Sequence, residues 1–369
     1  MMRAAVLVDA NEDLQVVEVT LDPPGPREVL VQMAAAGVCH SDWHVMQGDL
    51  PVPLPAILGH EGAGVVQAVG EEVSRVKPGD HVVLSWIPSC GQCFYCLKGR
   101  PDMCEQAFTV QLSGTLPGNA VRLHWDHGAL HHYLGTSCFA ELTVVPETGV
   151  VVIDPTIPLR QAALVGCAVT TGFGAVTHTA RVSPGDSVAV IGCGGVGLNV
   201  IQTARLAGAD PIIAIDANSQ KETLAKKFGA THFIDASQSD DLITPVIDLT
   251  RGIGADFSFE VIGRKETIEA AYGMVRKAGT AVVIGVAPPH LDVSFNAFSF
   301  PSQSKILTGS WYGQSVPAID IPRILSLYQQ GRLNLDELVT QSYRLNEVNQ
   351  AFRELIEGTV GRGVIEFSS

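Results

Sequence analysis

Val188-Ala189-Val190-Ile191-Gly192-Cys193-Gly194-Gly195-Val196-Gly197-Leu198 is the stretch on which the fold turns. Four apolar residues read as a buried strand, and the glycines at spacing GxGxxG open the helix that follows. Gly192 allows the tight turn, Gly194 lets backbone approach a pyrophosphate, and Gly197 lets the helix pack closely on the sheet. Gly195 and Val196 begin that helix, whose free N–H groups are donors for phosphate oxygens. GxGxxG alone is a weak signal. Here Asp216 stands at the end of the next apolar run, 19 residues past Gly197. A carboxylate there accepts the ribose hydroxyls of NAD and repels the extra phosphate of NADP.

Working outward, short apolar runs alternate with helical stretches. The spacing predicts strands at 188–191, 212–216, 231–234, 256–260, 280–285 and 305–310, with helices at 198–207 and 220–228 each followed by glycine. Six strands with helical crossovers imply a doubly wound parallel sheet of the Rossmann kind, an α/β fold. The first 150 or so residues carry little helical periodicity. Short strands at 28–34, 64–69 and 81–84 lie between turns such as Pro23-Pro24-Gly25-Pro26 and Lys77-Pro78-Gly79-Asp80, which predicts a β-rich, barrel-like domain. Beyond the six strands lie helices at 319–330 and 345–357 and a closing strand at 363–367 that returns to the first domain. The expected division is a β-rich catalytic domain over 1–168, a nucleotide-binding domain over 169–310, and a C-terminal return over 311–369.

A chain of 369 residues with 46% hydrophobic and 17% charged residues and mean hydropathy +0.23 buries a sizeable core and is not disordered in bulk. The formal charge of -14 repels phosphate backbones, which excludes general nucleic-acid binding. Glycine, proline or charge interrupts each apolar run before bilayer length, so no membrane association is expected. Met1-Met2-Arg3-Ala4-Ala5-Val6-Leu7-Val8-Asp9 reads as a first strand with no cleaved signal after it. The eight cysteines then read as ligands or free thiols, and the expected location is the cytoplasm.

Cys90, Cys93, Cys96 and Cys104 place four thiols within fifteen residues. Soft thiolates this close wrap one tetrahedral Zn²⁺ and leave no open position, the pattern of a structural site. A second set is scattered: Cys39 in Gly37-Val38-Cys39-His40-Ser41-Asp42, His60-Glu61 in Gly59-His60-Glu61-Gly62, and Cys167 in Gly166-Cys167-Ala168. Two cysteines and a histidine suit a catalytic zinc with a fourth position for substrate. Spacing does not join them; singly, Cys167 reads equally as a small core residue and His60 as a turn histidine.

These motifs, with Phe257-Ser258-Phe259-Glu260-Val261-Ile262-Gly263, resemble the zinc-dependent medium-chain alcohol dehydrogenases from the first strand to the last. His131-His132-Tyr133-Leu134-Gly135-Thr136-Ser137 and the long segment after Cys104 resemble the long-loop branch with liver-type and glutathione-dependent enzymes. The resemblance implies a GroES-like catalytic domain beside the Rossmann domain, NAD, and two zinc ions per chain. It implies that Cys39, His60 and Cys167 hold the catalytic zinc, with Glu61 beside it as an occasional ligand. Asp42 then fixes the His60 tautomer, and the alcohol proton leaves by way of Ser41, the nicotinamide ribose and His44. His40 takes a position where relatives carry an arginine on the pyrophosphate, and a histidine there predicts a looser cofactor grip at high pH. Arg362 matches a cofactor phosphate contact, Lys221 a ribose contact, and Thr171 joins the cofactor set.

Leu50, Trp86, Thr109 and Leu134 match pocket positions. Leu50, where glutathione-dependent relatives place an acid, and Phe108, near their arginine, point to apolar, allylic or aromatic primary alcohols and their aldehydes. The rival readings are a thiol-dependent formaldehyde dehydrogenase and a non-catalytic zinc- and NAD-binding scaffold. Family members commonly pair through the last strand of the nucleotide domain, here 305–310, so a homodimer is expected.

Overall fold

A computed structural model describes residues 1–126, 128–358 and 361–367. The chain forms two compact units. One comprises Met1–Ala168, Val316–Gln329 and Leu335–Ser369; the other comprises Val169–Ser315 and Gln330–Asn334.

Two sheets build the first unit. In one, the strand Met2–Leu7 pairs antiparallel with Gln15–Leu21 and with Ala56–Ile57. The other centres on Glu28–Gly37, the longest strand of that sheet, flanked by Glu61–Val69 and by the closing strand Arg362–Glu366. Alternation along these strands sends Val29, Val31 and Met33 inward, where they join Leu58, Phe139, Tyr343, Phe352 and Ile365 in one apolar core. The closing strand joins this sheet: Val364 pairs with Gly37 and Glu366 with Ala35.

The second unit carries a six-stranded, all-parallel sheet. Its spatial order is His232–Asp235, Ile212–Asp216, Val188–Ile191, Ala255–Glu260, Val275–Val283, Ile306–Gly309. That order reverses beside Val188–Ile191, which puts a ligand crevice at the carboxyl end of this strand. The central strands Val188–Ile191 and Ile212–Asp216 are fully buried and read as near-continuous apolar runs, which makes them the most legible of the six. The fifth is longer than expected at its start and stops short of Gly285, because pairing with Ala255 begins at Val275 before a bulge.

One apolar helical run, Leu159–Ala180, is long enough to cross a bilayer, with mean hydropathy 1.2 over its best window. That window is 89% buried inside the protein, the property of a core helix. The expectation that every apolar run stops short of bilayer length does not hold for this helix, by length and composition alone.

Candidate active site and metal centres

Cross-strand register assembles the first cluster. Gly37 at the end of Glu28–Gly37 lies opposite Glu61 at the start of Glu61–Val69. Two residues past Gly37, Cys39 caps the helix His40–Met46 with extended dihedrals, and His60 immediately precedes Glu61. Cys167 arrives on the core helix. There Gly166 packs so close to the Leu84 carbonyl that an added Cβ would lie 2.6 Å from it. The donor atoms of Cys39, His60, Glu61 and Cys167 all fall within 4.8 Å of one another, and all four residues are buried.

His60 is 1% exposed, and its Nδ1 lies 3.1 Å from Oδ1 of Asp42, itself fully buried. A carboxylate only accepts, so Nδ1 carries the hydrogen and Nε2 is left to coordinate. Asp42 also accepts from the Gly59 N–H at 3.0 Å, which fixes the loop bearing His60. Tyr133 and Trp86 meet the imidazole edge-on, at ring-centroid distances of 5.9 and 6.4 Å. The hydrogen bond from the Cys167 thiol to Cys39, then the nearby His60 charge, hold Cys39 well below the usual thiol range despite burial. Burial raises the Glu61 carboxyl to about 7 against the pull of the Arg362 guanidinium. Two sulfurs, an imidazole with its far nitrogen already committed, and a carboxylate are a donor set that fits Zn²⁺.

Around the cluster, Ser41 places its hydroxyl 3.8 Å from the Cys39 sulfur. His44 sits one turn on in the same helix, with Nδ1 3.0 Å from Oδ2 of Asp49. His40 opens the helix and is exposed. Trp86 is 7% exposed, while Leu50 and Leu134 are half-buried against the apolar core. Thr109 is exposed on the helix Glu105–Ser113, and its hydroxyl donates to the Glu105 carbonyl four residues back.

Arg362 is 2% exposed, and its guanidinium pairs with Oε2 of Glu61. The closing strand that carries Arg362 runs beside Glu28–Gly37, which delivers the cation to the metal cluster. The predicted return of that strand was a usable signal, and the sequence reading did not apply it to Arg362. Asp49 and Tyr133 were missed as partners of His44 and His60, since contacts made through a tight turn or across a core leave no spacing rule.

In the second unit, Gly192 has φ +101, and its N–H donates to the Ile215 carbonyl at 2.8 Å. A Cβ at Gly197 would sit 1.8 Å from the Gly192 carbonyl oxygen, whereas one at Gly194 would meet nothing within 4 Å. The helix Gly195–Ala207, which includes Val196, therefore packs hard on the turn while Gly194 faces open space. Asp216 accepts from the Cys193 N–H at 2.7 Å, the Asn218 N–H at 2.9 Å and Lys221 Nζ at 3.1 Å. Thr171 is 7% exposed in the helical segment Thr170–Gly174. An open glycine cradle, a helix N-terminus and a strand-end acid with a lysine together fit a dinucleotide.

The four-cysteine lobe closes on itself: the sulfurs of Cys90, Cys93, Cys96 and Cys104 lie within 4.8 Å of one another. The Cys90 N–H points at the Cys104 sulfur at 3.2 Å and the Cys93 N–H at the Cys90 sulfur at 3.3 Å. Backbone N–H groups of Cys96 and Glu105 bring the Cys93 thiol down to about 6. Four sulfurs already surrounded by donors fit a closed zinc site.

The sequence pattern of the alcohol dehydrogenase GroES-like domain matches residues 25–155, and that of zinc-binding dehydrogenases matches residues 195–330. A Mycobacterium tuberculosis protein provisionally named alcohol dehydrogenase D is 43% identical over 369 residues, covering 98% of each chain. The S-(hydroxymethyl)glutathione dehydrogenase of Saccharomyces cerevisiae is 40% identical over 370 residues, covering 98% of this chain and 95% of its own. The benzyl alcohol dehydrogenase of Acinetobacter calcoaceticus superposes with a TM-score of 0.94 at 32% identity, over 100% of this chain and 99% of the other. With buried cysteine and histidine donors, a four-cysteine lobe and a parallel nucleotide sheet already in place, the chain belongs to the zinc-dependent medium-chain alcohol dehydrogenases, oxidoreductases acting on CH–OH groups.

Proposed function

We propose that the protein oxidises primary alcohols with apolar, allylic or aromatic chains to aldehydes, reversibly, with NAD as hydride carrier. The observation that carries this is the buried Cys39–His60–Glu61–Cys167 cluster with the Ser41 hydroxyl at its edge. Cys39, His60 and Cys167 would hold the catalytic zinc, and Cys90, Cys93, Cys96 and Cys104 a structural one. Bound there, zinc would polarise the substrate oxygen and acidify an alcohol, and NAD would take up hydride. Everything else is the work of side chains. Asp42 keeps His60 in one tautomer, Ser41 receives the hydroxyl proton and passes its own on, and His44 delivers a proton toward solvent. Glu61, pulled back by Arg362, stands by as an exchangeable carboxylate.

The carboxylate of Asp216 favours NAD over NADP, because a 2′-phosphate would replace its donors with a like charge. Lys221 beside Asp216 supports the ribose contact, and the ion pair of Arg362 with Glu61 supports a role for it at the metal cluster. Trp86 and half-buried Leu50 and Leu134 give the pocket an apolar wall, and Leu50 offers no charge to a thiol conjugate. Eight unpaired cysteines support a reducing, cytoplasmic setting. Ile306–Gly309, at one edge of the nucleotide sheet with Ile306 53% exposed, supports pairing as a homodimer.

The test is the initial rate of NAD⁺ reduction with ethanol, hexanol, geraniol and benzyl alcohol, and with formaldehyde in the presence and absence of glutathione or mycothiol. Rates that rise with apolar or aromatic character and ignore thiol are expected. A rate confined to formaldehyde plus thiol would replace this reading with a thiol-dependent formaldehyde dehydrogenase.

A further inference from the structure

The helix His40–Met46 ends at Gln47, and Gly48 with φ +75 turns the chain back over its last turn. The N–H groups of Asp49 and Leu50 both donate to the His44 carbonyl, at 2.9 and 3.2 Å. This double bracket seats the Asp49 carboxylate 3.0 Å from His44 Nδ1, with the side chains 43% and 25% exposed respectively. The pair is therefore held by backbone and is not a chance meeting of two mobile surface chains.

A carboxylate has no hydrogen to give, so Nδ1 of His44 must be the donor. The hydrogen a histidine keeps on one nitrogen decides that the other is the base. Nε2 is thereby left free to take a proton. Ser41 and His44 lie three residues apart and share a face of the helix, and the Ser41 hydroxyl reaches back to within 3.8 Å of Cys39. Polar groups thus run in sequence from the buried cluster through Ser41 and His44 to Asp49, the most exposed of them.

Resting on the proposed role of His44 as proton acceptor, we infer that Asp49 is the positioning residue of this route. It fixes the Nδ1–H tautomer so that Nε2 faces the incoming proton. In the forward direction a proton arrives at Nε2, the Nδ1–H stays on Asp49, and the imidazolium releases the Nε2 proton to water. Asp49 touches neither substrate nor cofactor.

The experiment uses the full-length, zinc-loaded protein. Single-turnover NAD⁺ reduction by hexanol would be followed in Asp49→Ala, His44→Ala and the double variant, and ¹⁵N NMR of the His44 imidazole would be recorded in wild type and Asp49→Ala. Asp49→Ala should slow hydride transfer on the order of fivefold, with the NAD⁺ and hexanol concentrations that give half the maximal single-turnover rate unchanged. It should add nothing in the His44→Ala background. The ¹⁵N signals should move from one Nδ1–H tautomer to a mixture. Unchanged rate and unchanged ¹⁵N signals in Asp49→Ala would overturn the inference, as would an equal loss in the His44→Ala background. A wild-type rate in His44→Ala would instead remove the proton route itself, and is seen separately from either.

Discussion

Gly194→Ala separates what the fold requires from what the ligand requires. Gly194 has φ −85 and ψ −165, extended backbone open to any residue, and it caps the helix Gly195–Ala207 without a side-chain bond. An added Cβ meets no protein atom within 4 Å. Restricting the unfolded chain stabilises by about 0.4–1 kcal/mol, and alanine is a poorer cap than glycine by a similar amount, so the two offset. Thermal unfolding without cofactor should stay within a degree or two of wild type. The methyl does occupy the space into which a pyrophosphate must come. Overpacking of a filled site costs roughly 1–3 kcal/mol, which is about 5- to 150-fold in dissociation constant. Titration of NADH fluorescence measures it. Gly197→Ala is the control, because its Cβ would lie 1.8 Å from the Gly192 carbonyl oxygen; this variant should lose stability before any ligand is added. An unchanged NADH affinity in Gly194→Ala would refute the assignment of this turn to the phosphates.

Other perturbations probe the remaining sites. Cys93→Ser should lower zinc content from two ions to one per chain by elemental analysis and destabilise the lobe, with the Cys39 cluster still loaded. Asp216→Ser should raise KM for NAD about tenfold and lower that for NADP, and unchanged NAD/NADP preference in steady-state rates would count against Asp216 as the discriminator. Arg362→Met strands Glu61 in a buried site where both residues are under 3% exposed. A loss of about 3–5 kcal/mol by denaturant unfolding is expected, most of it restored by adding Glu61→Gln; a normal stability with weakened NADH binding would return Arg362 to the phosphates. His132 is buried, accepts from the Arg122 N–H through Nε2, and burial pushes it down to about 3. Because the unfolded histidine binds protons first, stability is full above about pH 6.5 and falls toward pH 3, by about 2 kcal/mol at pH 5. His132→Gln should flatten that fall in midpoints measured from pH 7 to pH 5.

The division between what the residues announced and what they concealed follows the range of the interactions. The parallel sheet was legible because its central strands are apolar runs, Val188–Ile191 without a break, and each expected helix ends at a glycine. Its glycine turn was legible because Gly192, at φ +101, and Gly197, packed against the Gly192 carbonyl, each answer a local steric demand. The four-cysteine lobe closes within fifteen residues, so its sulfurs had nowhere else to converge. The Cys39 cluster is of another kind. Its members come from a strand end, a loop before a strand and a core helix, and cross-strand register joins them. Composition carries none of that, and only whole-chain resemblance brought them together before the structure did.

Arg362 shows what such a resemblance leaves open. It supplied a position and a role at the phosphates, and the antiparallel pairing of Val364 with Gly37 adds a partner that it did not name, Glu61. A cation buried there lowers the cost of keeping a carboxylate beside two sulfurs, and Glu61 would otherwise be repelled by Cys39 and stripped of solvent. The same pairing holds the Glu61 carboxylate back, so that a change in the charge of the cluster alters the balance between arginine and metal. The closing strand is thus as much a part of the metal site as the loops that carry its ligands, and truncation of the chain before Arg362 should remove the site's electrostatic balance together with the edge of the sheet.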